Sequence, residues 1–155
     1  MIFQSRPLRM LPLFCVWLMI IALAAPCFAE ETMAIIVNRE NPISGTTEEL
    51  NNLVARIFLK QQKDWPSDIL CRTYDRESHS PEHQHFVERI LNMSEGRLLA
   101  HWGKMKQLSG ETPPRVIRSS SILLRFIAKH KGGIGIVKQE EVKKLPSSIK
   151  VLFTF

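Results

Sequence analysis

Beyond residue 27 the sequence has one cysteine, Cys71, so no internal disulfide can staple the chain. Flanked by apolar Ile69 and Leu70, that thiol reads as a small core residue. No stretch reaches the roughly twenty apolar residues of a membrane span. The longest, "LPLFCVWLMIIALAA" (11–25), stops short and lies between Pro12 and Pro26. No basic run is dense enough to engage nucleic acid, and there is no repeat or low-complexity tract. A P-loop, a pair of carboxylates at meaningful spacing and a nucleophile with an identifiable base are all missing. Enzyme chemistry is therefore not expected, and no cofactor is implied.

What is present begins with Arg6 and Arg9, the apolar run, and then "PCFAEE" with Ala29 as a small residue. Positive start, apolar centre and small-residue exit describe a secretory signal peptide over residues 1–29, cleaved near Ala29. That places the remainder, residues 30–155, in the periplasm as a single domain with one core. Pro26 before Cys27 departs from the small residue that a lipidation signal wants at that place. The whole chain carries a net charge of +6, and it stays basic without the two leader arginines. In an exported protein this suits an anionic partner, though solubility explains it equally well.

"AIIV" (34–37) reads as a strand ending in the turn "NRENP". Thr46 with Glu49 forms a capping box for a helix whose Leu50, Leu53, Val54, Ile57 and Phe58 share one face. A second strand is predicted from Ile69 to about Thr73, and Ser80-Pro81 then starts a helix with Phe86, Val87, Ile90 and Leu91 inward. Another helix starts at Ser94 with Leu98, Leu99 and Trp102 inward. "SSSILLRFIAKHKGG" predicts a capped helix running into a glycine terminus, "IGIV" a third strand, "QEEVKKL" a short helical turn and "IKVLFTF" a final strand. Strands alternating with helices make this α/β: a mainly parallel sheet of about four strands sandwiched by helices.

Five landmarks occur in an order shared with a known family: "VN" after the first strand, "ARIFLKQQKDWP" (55–66), "DRESHSPEHQHF" (75–86), "LSGETPP" (108–114) and "KGGIGIV" (131–137). On these the chain resembles the periplasmic phosphate-binding proteins of ABC transporters, with the type 2 solute-binding fold, and looks like one lobe of that two-lobed architecture. The family pattern has a helix ending "IF-x-G-x3-x-W", an Arg-x3-Ser-Gly-Thr loop that wraps phosphate, a glycine loop and "PGAIGYV". The resemblance implies binding of phosphate or a similar oxyanion, with a membrane permease or sensor protein as a further partner.

The matching anion-loop positions are Arg76 and Ser80, with Ser78 on the same loop. Arginine supplies a charged fork, and hydroxyls with backbone N–H groups at a helix start supply further donors. Pro81 stands for the glycine and deletes one N–H, while Glu82 stands for the threonine and brings a negative charge to the anion's place. At about 4 Å and an effective dielectric near 20, that repulsion is worth about 4 kcal/mol, which takes a micromolar site to roughly millimolar. Ser109 and Gly110 of the glycine loop, and Ser119 and Ser120 at a later helix start, are secondary anion candidates. An ordinary reading competes: Arg76 pairs with Asp75 or Glu77, the serines cap helices, and Ser-Gly and Pro-Pro simply mark turns.

His79, His83 and His85 form a metal candidate at the same helix start. Pro81 puts His79 outside the helix, and His83 and His85, two apart, point to different sides. Metal binding is the weakest of the three readings. An anion-binding lobe leads, and an interaction module for an envelope protein comes second.

Overall fold

The computed structural model describes residues 31–155. The expected signal segment, its cleavage point and Cys27 lie outside the described residues. The order is β1 (Met33–Asn38), α1 (Thr47–Phe58), β2 (Arg72–Asp75), α2 (Pro81–Arg89), α3 (Glu95–Ser109), β3 (Arg115–Val116), α4 (Ser120–Lys129), β4 (Gly133–Lys138), a 3-10 turn (Gln139–Lys144) and β5 (Ile149–Thr154). Among the described residues no helix is long and apolar enough to cross a membrane.

The strands form one five-stranded sheet in the order β3-β2-β4-β1-β5. β2 pairs parallel with both β3 and β4, whereas β1 lies antiparallel to β4 and β5. Four strands therefore run one way and β1 alone runs the other. The α/β sandwich is as expected, with one strand more: the two-residue β3 edge, hidden in sequence by its length.

All six residues of β1 are buried, because both faces of the sheet are covered. Alternation sends Met33, Ile35 and Val37 to one face and Ala34 and Ile36 to the other. On the first face lie α1, α2 and α3, with Leu53, Ile57, Phe58, Phe86, Leu98 and Trp102. The rings of Phe58 and Phe86 sit 4.5 Å apart, and truncating either to alanine would cost about 3–5 kcal/mol. The second face is covered by α4 through Leu123 and Ile127. Gly135 lets that helix approach: a Cβ there would meet Leu123 Cδ1 at 2.9 Å and Ile127 Cδ1 at 3.0 Å. Asn38, the polar end of "VN", donates from Nδ2 to Ile127 O and Ala128 O, both at 2.9 Å, and so ties the last turn of α4 to β1.

Local signals explain most element starts. Thr46 and Glu49 form the reciprocal capping box, Ser80 accepts from His83 N with Pro81 at the first helical position, and Ser94 accepts from Arg97 N. Four details depart from expectation. β2 starts at Arg72 rather than Ile69, because residues 63–71 fold back on themselves through Trp65 N to Ile69 O and Cys71 N to Lys63 O, each 2.9 Å. Leu99 is 64% exposed rather than inward, since α3 fully buries only Leu98 and Trp102, with Met105 packed partly beside them. Ser119 makes no side-chain cap bond to α4. That helix also ends without a left-handed glycine: His130 is extended, and Gly132 instead lets the chain pass Leu70, whose carbonyl oxygen a Cβ would meet at 2.0 Å.

Trp65 is buried and donates from Nε1 to Gly132 O, and Cys71 is buried as expected, with burial and then Asp64 pushing its thiol up to about 12. α1 closes through Lys60 in the left-handed region (φ 58°). Glycine is the usual occupant of such a helix end, and a lysine there costs about 1 kcal/mol.

Candidate functional site

The chain leaves the sheet at the C-terminal end of β2, and the residues gathered there come from β2 and from the starts of three helices. Asp75 closes the strand and Arg76 follows, with Glu77, Ser78 and His79 forming a turn into Ser80, the N-cap of α2. Asp75 Oδ1 accepts from Arg76 N at 2.7 Å, which fixes the arginine's backbone against the strand end. The guanidinium is buried at 8% exposure. Its Nη1 donates to Ile117 O at 3.1 Å, and its Nη2 reaches Ser120 Oγ at 3.3 Å and Glu82 Oε1 at 3.4 Å. Arg76 thus sits where α2 and α4 both begin.

These contacts are long for charge-assisted bonds. A guanidinium has five N–H donors, and the three contacts given leave others without a protein partner among the described residues. Glu82, itself buried, is the counter-ion that the sequence places in the anion's position.

Next to this pair lies a second one. His83 Nδ1 is 3.0 Å from Asp75 Oδ2, and its Nε2 is 3.0 Å from Glu95 Oε2 at the first turn of α3. Burial alone would pull the imidazole's pKa down. The hydrogen bonds and charges of Asp75 and then Glu95 outweigh it and raise the value to about 9. At neutral pH the ring is therefore protonated and donates from both nitrogens. Two cations, Arg76 and His83, face three carboxylates, Asp75, Glu82 and Glu95. The cluster as built carries one excess negative charge.

The other sequence candidates go elsewhere. Ser78 and His79 lie on the surface, and His85 is half-buried with Nδ1 unpartnered. Ser109 donates to Met105 O at 3.0 Å within α3, and Gly110 (φ 70°) caps that helix, so both have local roles. Ser119 and Ser121 bond to each other at 2.9 Å. Only Ser120 of that helix start reaches Arg76. The competing ion pairs differ from the simple expectation: Glu77 meets Arg118 at 2.6 Å on the surface, and Asp75 takes His83. Among the described residues no three histidine, cysteine or acidic side chains stand so as to hold a metal ion. The three histidines are not gathered into one. Sequence reasoning missed Asp75 and Glu95 as partners of His83; the only signal was a buried-face histidine on the turn after a strand-ending acid.

No protein-family model matches the sequence, and no curated protein matches it significantly. Solved structures do. An ABC-type phosphate transport receptor from Vibrio cholerae is similar with a TM-score of 0.56 and 20% identity, over 79% of this chain and 45% of that one. PstS from Borrelia burgdorferi gives 0.58 and 15%, over 79% and 46%. A Clostridium perfringens protein solved with bound phosphate gives 0.58 and 15%, over 79% and 44%. The chain therefore has the fold of part of a phosphate-transport binding protein and spans less than half the length of these neighbours. The likeness read from its motifs holds at the level of fold.

Proposed function

We propose that this protein is an exported, single-lobe solute-binding protein, not an enzyme, that takes phosphate or a similar small oxyanion weakly at Arg76. The observation that carries the reading is the buried guanidinium at the starts of α2 and α4, held by three long contacts and keeping donors for a ligand. Ser120 lies within reach of the same guanidinium, Ser80 caps α2, and Ser78 stands at the rim. Glu82 is the built-in competitor: an incoming anion must displace its carboxylate, and the excess negative charge of the cluster opposes entry. A permease or sensor protein of the membrane is the partner class that such a role entails.

Isothermal titration of the purified protein with phosphate, at pH 7 and low ionic strength, tests this. Millimolar binding is expected, abolished in Arg76→Ala and strengthened at least tenfold in Glu82→Gln, which removes the competing charge. Glu82→Gln also leaves Arg76 without its counter-ion, so phosphate should raise its melting temperature more than that of the wild type. Binding unchanged in Arg76→Ala would remove the site assignment.

A second reading, an interaction module with no small ligand, is favoured by the Arg76–Glu82 pair itself, in which the chain neutralises its own arginine. Absence of phosphate binding in both wild type and Glu82→Gln would support it. Crosslinking in envelope extracts with no enriched partner would count against it.

A further inference from the structure

The N-terminal end of β2 holds a second polar concavity, which the Arg76 cluster does not share. It has a volume of about 280 Å³ and is lined by Lys60, Arg72, Thr73, Glu111, Arg115 and His130, among others. Its basic side chains arrive from four places: Lys60 from the end of α1, Arg72 from β2, Arg115 from β3 and His130 from the end of α4.

The charge there is not internally balanced. Among the described residues, Lys60 Nζ has only Thr73 Oγ1, at 3.3 Å, and Arg72 has no carboxylate partner. Arg115 lies over the Phe126 ring, 4.6 Å from its centroid, a contact that leaves its charge uncompensated. The one acid in the lining, Glu111, pairs with Lys63 at 2.5 Å and also feels the charge of Lys60, so a single shared carboxylate faces these cations. Three fixed positive charges thus surround one hollow. His130 adds no fixed charge: burial first, then Arg72 and Lys129, lower its pKa.

Lys60 is the most telling of these residues. It occupies a left-handed position (φ 58°) where glycine would end α1 without strain, and it keeps an ammonium beside the hollow. Tyr74 and Phe126, stacked at 5.4 Å, form an aromatic wall that positions Arg115. The small volume suits a compact ligand rather than a large one.

From this geometry we infer that the hollow between the end of α1, β2, β3 and the end of α4 is a binding site for a small polyanion, a molecule with at least two negative groups. Three cations spread over separate elements match linked charges, as in pyrophosphate or a compact polycarboxylate, better than the single centre of one oxyanion. The site is independent of Arg76.

Pyrophosphate is the probe, titrated into the purified protein at low ionic strength, with orthophosphate and sulfate as single-group controls. Saturable pyrophosphate binding is expected, at least tenfold tighter than either control. Lys60→Gly should weaken it about tenfold while raising the melting temperature, because it removes the cation and relieves the backbone together. Arg72→Gln, on the surface, should weaken it similarly, and Arg76→Lys should leave it within about twofold. Three results would each overturn the inference: no saturable binding up to millimolar pyrophosphate, affinity unchanged in both Lys60→Gly and Arg72→Gln, or no preference over sulfate. Loss in Arg76→Lys alone would also overturn it, by moving the ligand to the other end of the strand. Failure of phosphate binding at Arg76 leaves each of these outcomes readable.

Discussion

The two ends of β2 treat positive charge in opposite ways. At the C-terminal end Arg76 and His83 are buried among Asp75, Glu82 and Glu95, so the chain supplies its own anions. At the N-terminal end Lys60, Arg72 and Arg115 surround a hollow with one acid, already engaged by Lys63. A buried cation without a counter-charge is costly, whereas an open one is solvated at little cost. The closed end is therefore bound up with stability, and the open end is free to serve a ligand. In a fold whose neighbours are phosphate-transport proteins, the position that resembles an anion loop is the one most nearly filled from within.

The largest effect should come from breaking the closed end. Arg76→Ala leaves Glu82 buried without its partner and should cost about 3–5 kcal/mol in urea denaturation, whereas Arg72→Gln at the open end should change stability by less than about 0.5 kcal/mol. If the two variants unfold at the same urea concentration, the contrast between the ends is wrong.

Next in size is a pH effect centred on His83. Its folded pKa, raised to about 9 from an ordinary 6.5, means that the protonated ring favours the folded state. That stability is fully present below about pH 6.5 and is lost as pH rises through about 9, an effect on the order of 3 kcal/mol. The urea midpoint should fall between pH 6 and pH 9.5, and His83→Gln should remove most of that fall, leaving the smaller part near and above pH 9 that comes from ionisation of Cys71 in the unfolded chain. An equally steep fall in His83→Gln would place the titrating group elsewhere.

Smaller again are two changes at helix ends. Ser80→Ala removes the acceptor for His83 N and should cost about 1 kcal/mol at the closed end. Lys60→Gly at the open end should run the other way, gaining up to about 1 kcal/mol by releasing the left-handed lysine. Opposite signs in thermal melts would sharpen the comparison, and a loss of stability in Lys60→Gly would mean that its ammonium holds Thr73 more firmly than the backbone strain suggests.

Much of the fold was legible because its signals are local. Thr46 with Glu49 and Ser80 with Pro81 each specify a helix start within four residues, and the buried periodicity of α1 is complete in its own sequence. The start of β2 was not, since the strand waits for Gly133 as partner while residues 63–71 close on themselves. β3 is two residues long and exists through its pairing with β2. In the candidate site Arg76 and Glu82 stood out because they lie six apart on one loop and helix start. His83 was visible only as a metal candidate, because Asp75 and Glu95, which define its role, come from a strand end and another helix. The three cations of the open hollow are scattered over the end of α1, β2 and β3, and nothing in their spacing joins them before the sheet is built.

The direction of β1 has a kinetic consequence. That strand, first in sequence among the described elements, pairs only with β4 and β5: Met33 opposite Lys138, and Ala34 opposite Thr154. Contacts that bridge such separations are slow to form, because a long loop must close before any of them is rewarded. The helices can flicker into shape early, but β1 has no neighbour until β4, about a hundred residues later, is available. Folding should then proceed as one late, cooperative event, and a ribosome-bound chain that still holds both β4 and β5 in its tunnel should be as open to protease as a denatured one.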